Sequence, residues 1–205
     1  MITFEEAVAA IRAGLVVVIP TDTVYGLAGD PSNPAAIERI YAIKGRPPHL
    51  ELNLLADAIS QLEGLVEMDA VARSLAGAFW PGPLSLVCPV GPRRLAIPRT
   101  GATLMVRVPG HPLLKRLLAE TGPVASTSAN RHGLPAASTA PEAEAALGTE
   151  IAGILDGGPS TGMASTIIDL SLRPPRVLRE GQIASIALRS YVGGVTPARK
   201  REAGT

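Results

Sequence analysis

The chain has 205 residues, 46% of them apolar and only 3% aromatic, with a formal net charge of +1. That supports one large or two small domains with cores of Val, Ile, Leu and Ala. It excludes a global field that gathers polyanions and argues against stacking platforms for single-stranded nucleic acid. A single cysteine, Cys88, excludes a disulfide framework or a multi-cysteine zinc site.

The three histidines, His49, His111 and His132, lack metal-ligand spacing, so no metal site is expected. The first residues, with Glu5 and Glu6, show no signal-peptide pattern. No apolar run approaches the roughly 20 residues that span a bilayer. A soluble, cytoplasmic protein without membrane partners is expected.

Thr3 and Glu6 form a capping box that opens a helix over about 4–13, ended by Gly14. The β-branched run "LVVVI" (15–19) predicts a buried strand. Asn33 caps a second helix, "PAAIERIYAI", with Pro34 in its first turn. "LNLLA" (52–56) predicts a strand, and helical segments follow over 57–66 and 69–79, the second capped by Asp69. "LSLVCPV" (84–90) and "TLMVRVP" (103–109) predict strands; "HPLLKRLLAET" (111–121) is an amphipathic helix closed by Gly122. "PVAST" predicts a short strand, and Thr139 with Glu142 forms a second capping box before "APEAEAAL". "GILDGG", "STIIDLS" and "RVLRE" predict three more strands, with a last helix near 182–192. Strands and helices alternate irregularly. The expected fold is a single α/β domain over 1–195 with a mixed sheet, and 196–205 is expected to be a disordered tail.

Four polar stretches and two arginines carry the chemistry. "PTDTVYGLAGD" (20–30) follows a buried strand, and Thr21, Thr23 and Tyr25 suit either a hydroxyl-rich turn or a small-ligand cradle. Gly26 and Gly29 are expected to let the chain turn around that ligand. "KGRPP" offers Lys44 as a point charge and Arg46 as a bidentate fork, in a phosphate site or a solvated basic turn. It is not a Walker A loop. "STSAN" (126–130) is a cap cluster or a ligand contact. "DGGPSTGMASTIIDL" (156–170) allows close backbone approach to a ligand, or is a long hairpin loop. Arg107 lies inside an apolar strand and needs an anionic partner from protein or ligand. Arg179 precedes Gly181. Without a Ser-His-Asp or Cys-His arrangement, these groups point to positioning and charge stabilisation, as in phosphoryl or nucleotidyl transfer.

In order and spacing, "PTDTVYGLAGD", "KGRP", "FWPGPLSLV", "VRVPGHPLL", "STSANRHGLPAAST", "LDGGPSTGMASTIIDL" and "LREGQI" resemble the YrdC-like family of threonylcarbamoyl-AMP synthases, in its short form. The resemblance implies a twisted open mixed sheet around a concave cleft. It implies a nucleotidyltransferase that condenses L-threonine, bicarbonate and ATP, with Mg²⁺ on the nucleotide, into threonylcarbamoyl-AMP and pyrophosphate. That product serves tRNA modification, which implies partner proteins and leaves direct tRNA binding open. Carried over, Thr23, Arg107 and Ser165 would hold threonine. Lys44, Arg46, Ser128 and Asn130 would hold ATP, with Lys44 and Arg46 catalytic, and Thr103, Ser138 and Arg179 would add nucleotide contacts. One segment departs from the family: in "KGRPPHLELNLLAD", Leu50 and Glu51 stand for an Asn-Pro pair and Leu55 for a threonine-facing histidine, with His49 nearby at another offset. A YciO-type branch departs there too, so a nucleotide-binding relative with another acceptor is an alternative. An RNA-binding module using "ARKR" (198–201) is another.

Overall fold

The computed structural model describes residues 1–45, 47, 50–98 and 101–192; Arg46, His49 and the 196–205 tail lie outside them. Helix α1, Phe4–Arg12, begins as its capping box dictates: the Glu6 N–H donates to Thr3 Oγ1 at 3.2 Å, and the Thr3 N–H donates to Glu6 Oε2 at 2.8 Å. Strands β1, Val17–Ile19, and β2, Gly26–Gly29, pair antiparallel. Helix α2, Pro34–Lys44, starts on the Asn33 side chain and ends at Gly45, whose φ of 61° is left-handed. Strand β3, Asn53–Leu55, is followed by helix α3, Ala70–Phe79, capped by Asp69, and then strands β4, Leu84–Pro89, and β5, Thr103–Arg107. Helix α4, Pro112–Thr121, leads to strand β6, Val124–Ser128. Helix α5, Ala140–Leu147, strands β7, Thr166–Asp169, and β8, Arg176–Arg179, and helix α6, Ser185–Val192, follow.

Among the described residues eight strands form one mixed sheet in the order β1-β2-β6-β3-β5-β4-β7-β8, with β3–β5 and β4–β7 parallel. Strand periodicity divides the side chains between two faces. One face packs Val18, Leu27, Leu54, Leu86, Val106 and Ile168 against α2, α3, α5 and α6. The other packs Val17, Ile19, Ala28, Leu55 and Val124 under α1 and α4. Those two helices cover only the β1-side of their face. Beyond them the face carries Ser126, Asn53, Met105, Arg107, Ser85 and Ile167, and there a cleft opens.

Four expectations change. Gly26–Gly29 is a strand between β1 and β6, not a turn, because close packing outweighs glycine's weak strand preference. A Cβ on Gly29 would lie 3.3 Å from Ala36 Cβ, so α2 sits hard against it. The 57–66 segment holds only a 3₁₀ turn, Ile59–Leu62. "GILDGG" makes isolated bridges, Val18 to Ile154 and Ile2 to Leu155, and no strand. Thr139 does cap α5, but Glu142 reaches past it to the Ser138 N–H at 2.8 Å, so the box is not reciprocal.

Candidate functional site

The cleft, of about 270 Å³, is lined by Thr21, Thr23, Ser128, Arg107, Ser165 and Arg179, among others. The opening stretch builds its first wall. Thr21 Oγ1 accepts from the Thr23 N–H at 3.0 Å and the Val24 N–H at 3.2 Å, so Thr21 is the turn former. Thr23 Oγ1 is then presented to Arg107, whose Nη1 donates to it at 3.0 Å.

Arg107 is 4% exposed and its partner is protein: Nη2 donates to Asp22 Oδ1 at 2.5 Å, and Nε to the Gly82 carbonyl at 2.9 Å. Burial lowers its pKa from the usual arginine value, and the Asp22 charge offsets part of that loss. Arg179 donates to the Ser165 carbonyl at 3.0 Å and to Ser165 Oγ at 3.1 Å, and has no carboxylate partner among the described residues. Desolvation, and secondarily the positive charge of Arg107, lowers its pKa too. Two guanidiniums thus converge on one cleft, one neutralised and one open to an anion.

At the other end, Lys44 Nζ reaches across from the last turn of α2 to the end of β6. It lies 2.7 Å from the Ser128 carbonyl, 3.1 Å from Ser128 Oγ, 2.6 Å from Asn130 Oδ1 and 3.2 Å from the Asn130 carbonyl. Ser128 Oγ donates to Asn130 Oδ1 at 2.6 Å. Lys44 and Asn130 are buried, so this knot supports Ser128 from behind while Ser128 itself lines the cleft.

The glycine-rich loop is strapped onto the first wall. Ser160 Oγ donates to the Thr21 carbonyl at 2.7 Å, and the Gly162 N–H to the Thr23 carbonyl at 2.9 Å. The Tyr25 hydroxyl lies 2.9 Å from Asp156 Oδ1 and accepts from the Gly157 N–H at 3.2 Å. Burial pushes the Tyr25 hydroxyl up to about 12, and Asp156 is held below the ordinary carboxylate value by the Gly158 N–H and the Tyr25 hydroxyl. At Gly157 a Cβ would meet Pro20 Cγ at 2.6 Å, so only glycine lets the loop lie flush.

Thr23, Arg107, Ser128, Ser165 and Arg179 therefore meet in one cleft, with Lys44 and Asn130 behind it. Thr103 does not join them: it starts the strand that Arg107 ends, roughly 13 Å away at about 3.3 Å per residue. Ser138 lies outside the lining, its hydroxyl 2.9 Å from Glu142 Oε2. Arg46 falls outside the described residues. The cleft also spreads over the sheet face, where it takes in Ser126 of the "STSAN" stretch together with Ser85 and Asn53, which lie outside the four polar stretches. The signal was present: "LSLV" and "LNLL" each hold one polar residue inside an apolar strand, as "LMVRV" does. The cleft's one described aromatic, Tyr25, is fully buried, so no stacking platform faces it. Among the described residues no helix is long and apolar enough to cross a membrane.

An open mixed α/β sheet with a polar, arginine-bearing cleft on one face presents a candidate small-molecule site with a cation placed to meet an anionic group. The Sua5_yciO_yrdC family model, described as "Telomere recombination", matches residues 9–181, and the chain belongs to this family. A Mycobacterium tuberculosis (strain ATCC 25618 / H37Rv) relative, provisionally named a threonylcarbamoyl-AMP synthase, is 42% identical over 191 residues, covering 92% of this chain and 88% of its own. The threonylcarbamoyl-AMP synthase of Bacillus subtilis (strain 168) is 39% identical over 93% of this chain and 56% of its own. The crystal structure of P. abyssi Sua5 complexed with L-threonine superimposes with a TM-score of 0.89 at 36% identity, over 95% of this chain and 58% of that one.

Proposed function

We infer that this chain is an L-threonylcarbamoyl-AMP synthase, a nucleotidyltransferase that condenses L-threonine, bicarbonate and ATP and releases pyrophosphate. The observation that carries the reading is the pairing of two ends in one cleft: Thr23 with Arg107 at one, and Ser128 on its Lys44–Asn130 support at the other. The threonine amine attacks the bicarbonate carbon, water is lost, and a carbamate forms. A carbamate oxygen then attacks the α-phosphorus and pyrophosphate leaves. The chain supplies orientation and charge neutralisation.

Arg107 and Thr23 hold the threonine carboxylate, which competes with Asp22 for the guanidinium. Ser165 stays at the threonine end, and Arg179, which donates to it, faces the phosphate side as the cation without a carboxylate. Ser128, Asn130 and Lys44 orient the nucleotide, and Arg46, placed by its sequence motif, adds a phosphate fork. Thr103 and Ser138 are retained as outer nucleotide contacts on resemblance alone. Among the described residues no group of three metal-binding side chains stands together. Magnesium would come with the nucleotide, held by the ATP phosphates, and would supply charge neutralisation there. The product feeds tRNA modification in the cytoplasm, through partner proteins that accept an activated threonylcarbamoyl group.

A second reading has its own observation. Leu55 lines the cleft and cannot hydrogen-bond a threonine hydroxyl, which fits a YciO-type nucleotide binder with another acceptor. Mass spectrometry separates the two. With ¹³C-bicarbonate, threonine and ATP, the synthase yields threonylcarbamoyl-AMP one mass unit heavier than with unlabelled bicarbonate. ATP binding without that product favours the second reading.

A further inference from the structure

Across the cleft floor runs a hydrogen-bonded chain that stops short. Arg179 Nη2 donates to Ser165 Oγ at 3.1 Å, Ser165 Oγ and Ser85 Oγ lie 3.1 Å apart, and Asn53 Nδ2 donates to Ser85 Oγ at 3.5 Å. The far end of the Asn53 amide, Oδ1, is buried with no hydrogen-bond partner among the described residues. A buried acceptor without a donor is costly, and native proteins retain few of them. Asn53 lines the cleft, so that cost is removed when a ligand brings a donor to it.

Strand geometry says which part of the ligand. Asn53 and Leu55 are two apart on β3 and share a face, and Leu55 pairs with Arg107 in the parallel register. The polar group missing at Leu55 therefore has a substitute one step along the same face. Asn53 sits diagonally from Arg107, roughly 8 Å between Cα atoms by strand spacing. An amino acid whose carboxylate meets Arg107 has Asn53 within reach of its side chain along that diagonal. A hydroxyl both donates and accepts, so it satisfies an amide in either orientation.

We propose that Asn53 is the specificity-determining residue for the side-chain hydroxyl of the amino-acid substrate, taking the role that Leu55 cannot perform. The assignment rests on the synthase reading for the identity of that substrate. A site built to hydrogen-bond a hydroxyl rejects the analogue that lacks it by up to roughly 10⁴-fold, because its own polar group is then left unpaired.

The test is the ratio of L-threonine to L-valine affinity by calorimetry, valine replacing the hydroxyl with a methyl. The wild-type chain is compared with Asn53→Ala, Asn53→Leu and Asn53→Asp. The ratio falls at least tenfold in the Ala and Leu variants, mainly through threonine, and ATP affinity stays as it was. Asp keeps the acceptor, so its ratio stays near the wild-type value even if its added charge weakens both ligands. Should the Ala variant fail to fold, the Leu and Asp pair still decides. The proposal is overturned by a wild-type chain with no preference for threonine over valine, or by a ratio that Leu or Ala leaves unmoved. Wild-type pyrophosphate release is measured alongside: a preserved ratio shift with no release upholds Asn53 and removes the synthase reading.

Discussion

Arg107 directs each of its three nitrogens at an oxygen, on Gly82, Thr23 and Asp22, and so a buried cation is tolerated in an apolar strand. The lone arginine in "LMVRV" made the need for an anion legible; the identity of the protein partner was not, because Asp22 lies 85 residues away in sequence. Arg107→Ala is expected to weaken L-threonine binding at least tenfold, in line with about 1.5–3 kcal/mol for a hydrogen bond to a charged group, with much less effect on ATP. Calorimetry with both ligands checks it, and equal losses in a folded variant would remove Arg107 from the threonine end. Tyr25→Phe tests the strap. Losing a hydroxyl that meets Asp156 and Gly157 should cost about 1–2 kcal/mol at neutral pH. Tyr25 has a raised folded pKa, so its contribution is fully present below about pH 10 and is lost as pH rises through about 12. Asp156 is depressed, so its contribution is present above the ordinary carboxylate pKa of roughly 3.9 and is lost as pH falls through its lower folded value. Melting temperature against pH should thus show the gap between wild type and Tyr25→Phe closing at both extremes. Cys88, pushed up to about 12 mainly by burial, adds an alkaline loss common to both proteins.

Strand β2 shows what element-level reading misses. "GLAG" has the composition of a turn, yet it holds two antiparallel partners, and the glycines are required by that packing: a side chain at Gly29 would press on α2 and one at Gly26 would lie 2.9 Å from Ser126 Oγ. The helices were readable because their signals are local: Thr3, Asn33, Asp69 and Thr139 each cap with their own side chains. Strand pairing, and the 3₁₀ turn at Ile59–Leu62, depend on neighbours distant in sequence. The link from β8 to α6 makes the same point at Gly181. A Cβ there would sit 2.1 Å from the Ala164 carbonyl and 2.6 Å from the Ser165 carbonyl carbon, backbone that cannot swing aside. Gly181→Ala should therefore destabilise by at least about 1–3 kcal/mol and shift Ser165 with β7. Thermal denaturation together with threonine titration checks this; a variant as stable as wild type with unchanged affinity would show that the segment yields freely.

At the scale of the molecule, one sheet face is divided in two. Helices α1 and α4 cover the β1-side with Leu114, Leu117, Ile11 and Val8, and the rest of the face is left for a ligand. The open half is polar because β3, β4, β5 and β6 each interrupt an apolar run on the same side, with Asn53, Ser85, Arg107 and Ser126. Polar clusters in loops were legible as candidates one by one. Their convergence follows from strand register, whereas Thr103 is left out of the lining by its distance along β5 and Ser138 by its place in the turn before α5. On the proposed function, this half-face joins three substrates in one reaction. The most direct measurement is pyrophosphate release with L-threonine, bicarbonate and ATP together and with each omitted in turn. Release is expected with all three present and only background when any one is missing. Release that continues without threonine, or no release with all three while ATP still binds, would contradict it.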